Sequence, residues 1–120
     1  MDLVEASGRV LDAVVAQMAG SPREGQASMC AEGAAAMEDR QHLLVQAGTG
    51  TGKSVGYLVP LLTHCAMNGV RGVVSTATLA LQRQILVKDA PAVVDAVAAR
   101  TGVRLDVRVL KGWSNYVCLH

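Results

Sequence analysis

His42-Leu43-Leu44-Val45-Gln46-Ala47-Gly48-Thr49-Gly50-Thr51-Gly52-Lys53-Ser54 is the stretch on which the fold turns. The apolar run 42–47 reads as a buried strand, and the run after Lys53 reads as a helix. A glycine-rich loop that ends in Gly-Lys-Ser between a strand and a helix is a phosphate-binding loop. Gly48, Gly50 and Gly52 let the backbone turn tightly and aim N–H groups at an anion. The helix that starts at Lys53 adds its positive end. The Lys53 ammonium has the reach for the β- and γ-phosphates of a nucleoside triphosphate, and the Ser54 hydroxyl is a ligand for Mg²⁺. The candidate phosphate site is therefore Ala47, Gly48, Thr49, Gly50, Thr51, Gly52, Lys53 and Ser54, with Lys53 as its catalytic member. A chance lysine in a Gly/Thr-rich turn is the bland alternative, and it rarely sits in Gly-Lys-Ser between these two elements. The general motif opens on glycine. Ala47 stands there instead and reads as the end of the strand.

Working outward, Leu3, Val4, Val10, Leu11, Val14, Val15 and Met18 share one helical face, which makes an amphipathic helix ending at Gly20. Ser21-Pro22-Arg23-Glu24 has the form of a capping box, and a second helix should run from it to about Glu38. The helix after the loop should stop at Asn68-Gly69, with Pro60 removing one of its hydrogen bonds. Residues 72–76 read as a second strand. Thr76 or Thr78 caps a helix over 79–88, Pro91 starts a further helical segment, and 105–110 read as a third strand. Strands alternating with helices imply an α/β fold, a parallel sheet with helices on both faces. In such sheets ligands bind beyond the carboxyl ends of the strands, where the phosphate loop and 75–78 would lie.

Bulk properties narrow the partners. The chain has 120 residues, room for one domain, and is 51% hydrophobic with a net charge of +1. Charge alone therefore points to neither nucleic acid nor membrane. Trp113, Tyr57 and Tyr116 are the aromatic residues and there is no Phe, so the core must rest on Val, Leu and Ala. No apolar run is long enough to cross a bilayer, and the start lacks a basic signal region. The expectation is a cytoplasmic protein without a membrane partner. Cys30, Cys65 and Cys118 are too few and scattered for a disulfide framework.

Two further constellations carry chemistry. The Gln26 amide can pair with N6 and N7 of adenine, the pairing glutamine makes with adenine in DNA, and Arg23 lies one turn before it. Taken alone, a solvated first turn explains the pair as well. Ser75-Thr76-Ala77-Thr78-Leu79-Ala80-Leu81-Gln82-Arg83-Gln84 passes from a strand end into a helix, where hydroxyls and N–H groups bind phosphate. Simple capping by threonine is compatible with that role.

Arg23-x-x-Gln26, A-G-T-G-T-G-K-S and S-T-A-T-L-A-L-Q-R-Q, in this order, resemble the adenine-reading element, motif I and motif Ia of superfamily 2 helicases. Lys111-Gly112-Trp113-Ser114-Asn115-Tyr116-Val117-Cys118 resembles the entry to the iron–sulfur insertion of the DinG/XPD helicases, whose pattern there is K-G-R-x-N-Y-x-C. The resemblance spans 23–120 and is strongest to bacterial DinG-type helicases. It implies a RecA-like P-loop NTPase fold, incomplete as given, with 1–112 as the front of motor domain 1 and 113–120 as the start of the cluster insertion. It implies an ATP-dependent 5′→3′ DNA helicase that uses ATP and Mg²⁺, translocates on single-stranded DNA and works in DNA repair. Arg23 and Gln26 then bind ATP with the loop, Thr76, Thr78 and Gln82 contact single-stranded DNA, and Cys118 is the first ligand of a [4Fe–4S] cluster. Trp113 departs from the family arginine. No D-E-x-H motif follows the loop, so this chain alone is expected to lack turnover and to be marginally stable. A small P-loop kinase and a non-catalytic nucleotide-binding module are the alternatives.

Overall fold

A computed structural model describes residues 2–18, 20–21, 23–48 and 52–112. Helix α1, Leu3–Gln17, is capped by Asp2, whose carboxylate accepts from the Glu5 N–H at 2.7 Å. Helix α2, Glu24–Glu38, begins at N-cap Arg23 without a side-chain cap, so the capping box expected at Ser21 does not start it. Its far end is tied to α1, because the Glu38 carboxylate accepts from the Leu3 N–H. Arg40 then takes a left-handed φ of 54°, and the Gln41 N–H closes the helix end on the Ala36 carbonyl at 2.9 Å. Helix α3, Lys53–Asn68, runs unbroken through Pro60 and ends at Gly69, as Asn68-Gly69 foretells.

Helix α4, Leu79–Gln84, passes without a break through a π-helical turn, Ile85–Asp89, into α5, Ala90–Thr101. The separate segment expected to begin at Pro91 is thus a continuation. Pro91 has no N–H, and in a regular helix its ring would press on the carbonyl four residues back. The turn relieves this by widening to an i→i+5 bond, from the Ala90 N–H to the Ile85 carbonyl.

α1 and α3 pack on each other and each packs on α2 and on α5, around Val10, Val14, Cys30, Val59, Val93 and Val97, each at most 1% exposed. Small residues set the spacing. A side chain on Gly56 of α3 would come within 2.9 Å of the Met29 sulfur of α2, so these two helices meet at a glycine.

The parallel sheet is not present among the described residues. Segments 42–47, 72–76 and 105–110 carry no ladder. A strand exists only through a neighbour that completes its hydrogen bonds, and no backbone hydrogen bond joins these three runs among the described residues. Their apolar side chains stand in solvent, Leu44 at 99%, Val73 at 90% and Leu110 at 88% exposure. Segment 105–110 nevertheless alternates as a strand does, with Leu105 and Val107 turned onto the core and Asp106 and Arg108 outward.

Candidate nucleotide site

The carboxyl end of the phosphate loop is built by Gly52. It caps α3 with φ 72° and ψ 45°, a left-handed conformation that favours glycine. No side chain caps α3 and its first turn holds no acidic residue. The first N–H groups of a helix have no carbonyl partner within it, so this end presents donors and positive dipole to an anion. Lys53 is exposed at the first position of the helix and Ser54 half-buried at the second. Gly48 is described and exposed; Thr49, Gly50 and Thr51 lie outside the described residues. Ala47 is half-buried at the end of segment 42–47.

Gln26 reaches this loop from α2. Its side chain is buried at 6% exposure, and Nε2 donates to the Gly52 carbonyl at 3.0 Å across 26 residues of sequence. The same carbonyl accepts the Gly56 N–H, also at 3.0 Å. The bond fixes which way the amide faces, because only its nitrogen donates. Among the described residues no other hydrogen bond takes the second N–H or the Oε1. Arg23 arrives at the same point: a Cβ on Gly52 would lie 2.2 Å from Gln26 Nε2 and 3.2 Å from Arg23 Nη1. The Arg23/Gln26 pair and the end of the phosphate loop, far apart in sequence, thus converge. Met29, one turn beyond Gln26, is buried against Gly56 and lends packing.

Beside Gln26 opens a hollow of about 350 Å³ between the second half of α1 and the start of α2, with Asp12 and Arg23 among its lining residues. α1 carried no functional signal in the sequence. Its polar face reads as solvated, and only the packing of α1 on α2 brings it beside Gln26.

Thr78 caps α4, its hydroxyl oxygen accepting from the Leu81 N–H at 3.2 Å. The Thr76 hydroxyl donates to the Thr78 carbonyl at 3.3 Å. Capping uses the Thr78 oxygen as an acceptor and leaves its O–H to donate. Gln82 is half-buried on α4.

Cys30 and Cys65 are buried in α2 and α3. Burial, with the Asp12 charge behind it, pushes the Cys30 thiol up to about 11. Burial also raises the Cys65 thiol. Both thiols pack inside the helical core. Among the described residues no three His, Cys, Asp or Glu side chains are grouped as a metal site. Cys118, with Trp113, lies outside the described residues.

Comparison with known proteins agrees with the geometry of the loop. The DEAD/DEAH box helicase family model matches residues 23–107, a span that holds the Arg23/Gln26 pair, the phosphate loop and the segment from Thr76 to Gln82. The ATP-dependent helicase DinG of Mycobacterium tuberculosis is 46% identical over 111 residues, 92% of this chain and 17% of that protein. The ATP-dependent DNA helicase YoaA of Escherichia coli is 45% identical over 98 residues, 82% of this chain and 14% of that protein. A protein of Bacillus subtilis described as 3'-5' exonuclease DinG is 38% identical over 98 residues, 82% of this chain and 10% of that protein. The chain thus spans 10% to 17% of the length of these relatives. No solved structure matches it. A match from Arg23 to Val107 takes in most of the chain and all of its candidate nucleotide site, and on that ground the chain belongs to the DEAD/DEAH box helicase family.

Proposed function

We propose that this chain is the nucleotide-gripping front of an ATP-dependent DNA helicase motor. The observation that carries the reading is the Gln26 Nε2 bond to the Gly52 carbonyl, which joins a base-reading side chain to the phosphate loop. ATP would lie with its phosphates on the N–H groups at the start of α3, Lys53 against the β/γ-phosphates and Ser54 on Mg²⁺. Ala47 to Gly52 would form the cradle, and Arg23 and Gln26 would take the base. Lys53 and Ser54 hold phosphate and metal but position no attacking water, so the chain by itself would bind ATP without turnover.

Thr76, Thr78 and Gln82 are assigned to the single-stranded DNA backbone, with the Thr78 O–H as a phosphate donor. Movement in the 5′→3′ direction and a role in DNA repair, in the cytoplasm, belong to the whole motor. In that motor segments 42–47, 72–76 and 105–110 become neighbours in a parallel RecA-like sheet, completed by further strands of the polypeptide. A [4Fe–4S] cluster needs four thiolates. Cys30 and Cys65 do not fit as ligands, so Cys118 would be the one ligand of this chain, in an insertion that starts at Trp113. The relatives are named for helicase and for exonuclease activity, and the family match favours the helicase.

The test is binding of ATP carrying a fluorescent ribose label. Lys53→Ala should lower affinity about ten- to a hundredfold, on the scale of a lost charge-assisted contact to phosphate. Unchanged affinity would remove the phosphate-loop reading. Single-stranded DNA should stimulate ATP hydrolysis by the complete polypeptide, and a motor indifferent to DNA would not be a helicase.

A further inference from the structure

We infer that Asp12 of α1 is a specificity-determining residue for the nucleotide base: its carboxylate accepts a hydrogen bond from the amino group of adenine and repels the carbonyl oxygen that guanine carries at the same place. The inference rests on the reading of the loop as an ATP site and extends it to a residue outside the family match, which begins at residue 23.

The hollow between α1 and α2 carries the argument. At about 350 Å³ it falls in the ~300–1,000 Å³ range of small-molecule pockets. Its wall is apolar where Leu11 and Val15 of α1 meet it, which suits the face of a base. Its polar groups are Asp12, Arg23 and Gln26. Gln26 joins the hollow to the phosphate loop, so a base in the hollow and phosphates on α3 belong to one ligand.

The chemistry of the three groups divides the work. The Gly52 carbonyl engages one Gln26 N–H and leaves the other N–H and Oε1 for adenine N7 and N6. Adenine N6 carries two hydrogens, one for Oε1 and a second that needs another acceptor. A carboxylate accepts only, so Asp12 meets that need, and at the position of N6 it can make no hydrogen bond to the carbonyl oxygen of guanine. No ion pair engages Asp12 among the described residues, and the Arg23 guanidinium lies near Gly52. Asp12 lines the hollow together with Leu11 and Val15 of the same helix, across from Gln26 and Ala27 of α2.

The experiment measures affinities for ribose-labelled ATP and GTP, which leave the base unmodified. It compares the chain with Asp12→Ala, Asp12→Asn, Gln26→Ala and Lys53→Ala. Asp12 is exposed on its helix, so the two Asp12 variants keep the fold, and circular dichroism checks it. Asp12→Ala should weaken ATP about tenfold, the scale of a hydrogen bond to a charged group, without weakening GTP. Asp12→Asn, whose amide also donates, should strengthen GTP. Equal losses for both nucleotides, or ATP and GTP affinities unchanged in Asp12→Ala and Asp12→Asn while Gln26→Ala abolishes selectivity, would overturn the inference. Lys53→Ala is independent of the base: if it leaves binding intact, the phosphate-loop reading fails, whatever Asp12 does.

Discussion

Gly52 meets three demands at once: a left-handed backbone, the cap of α3 and a carbonyl offered to Gln26. A single methyl at this position contradicts all of them. Gly52→Ala should cost roughly 1–2 kcal/mol for the left-handed backbone alone. It should also weaken ATP binding, since the new Cβ would push the Gln26 amide off the Gly52 carbonyl. Urea unfolding and nucleotide titration of the same variant read the two effects, and a variant that keeps both values would place the loop elsewhere. Much at this scale was legible in advance. Gly-Lys-Ser after an apolar run marks a phosphate-loop candidate, whereas Arg23-x-x-Gln26 taken alone fits a solvated first turn as well. The bond between them was not legible, because nothing in one dimension says that residues 26 apart share a carbonyl. The Ser21 capping box misled for the opposite reason. The right residue types were present, but Arg23 became the N-cap.

Among the elements, the end of α3 obeys its sequence signal and the π turn does not. Gly69 ends α3 with a left-handed glycine, as Asn68-Gly69 foretells, and Gly102 ends α5 in the same way. The π turn answers to Pro91, whose effect on a helix could have been a break as easily as a bulge. It buries Asp89 at 3% exposure, and Gln84 Nε2 donates to its Oδ2 at 3.3 Å. Burial raises the Asp89 carboxyl above its ordinary value, against the Gln84 hydrogen bond and the Lys88 charge, which lower it. The native state therefore holds this proton at a pH where the unfolded chain, at about 3.9, has released it. Stability falls as pH rises through that window and stays lower above it. Asp89→Asn keeps an acceptor for Gln84 and has no charge to bury. Its stability relative to the parent should be level below about pH 4 and should grow as pH rises to neutrality. Urea midpoints measured across pH 3 to 7 check this, and parallel curves would show that Asp89 ionises without penalty.

For the molecule as a whole, the helical core is closed and the would-be sheet is not. The alternation of apolar runs with helices announced strands, and the residues of those runs are indeed apolar. What sequence could not supply was their neighbours, since pairing is a property of several segments together. Exposed apolar runs of high β-propensity are templates for self-association. The isolated chain should therefore associate at micromolar concentration, seen as concentration-dependent light scattering. Lys or Glu at Leu44 and Val73 should reduce it. A sharp, reversible thermal transition of a monomer would contradict the expectation. The π turn also acts on the shape of the molecule as a phase shift. It carries one residue in excess of the α-helical repeat, so α4 is rotated by about 100° from the register that α5 would impose. Val93 and Val97 can face the core while Thr78 and Gln82 answer to a different direction. Excision of one residue from 85–89 would bring the two halves into step and swing the threonine end around the rod, with the core side of α5 left in place.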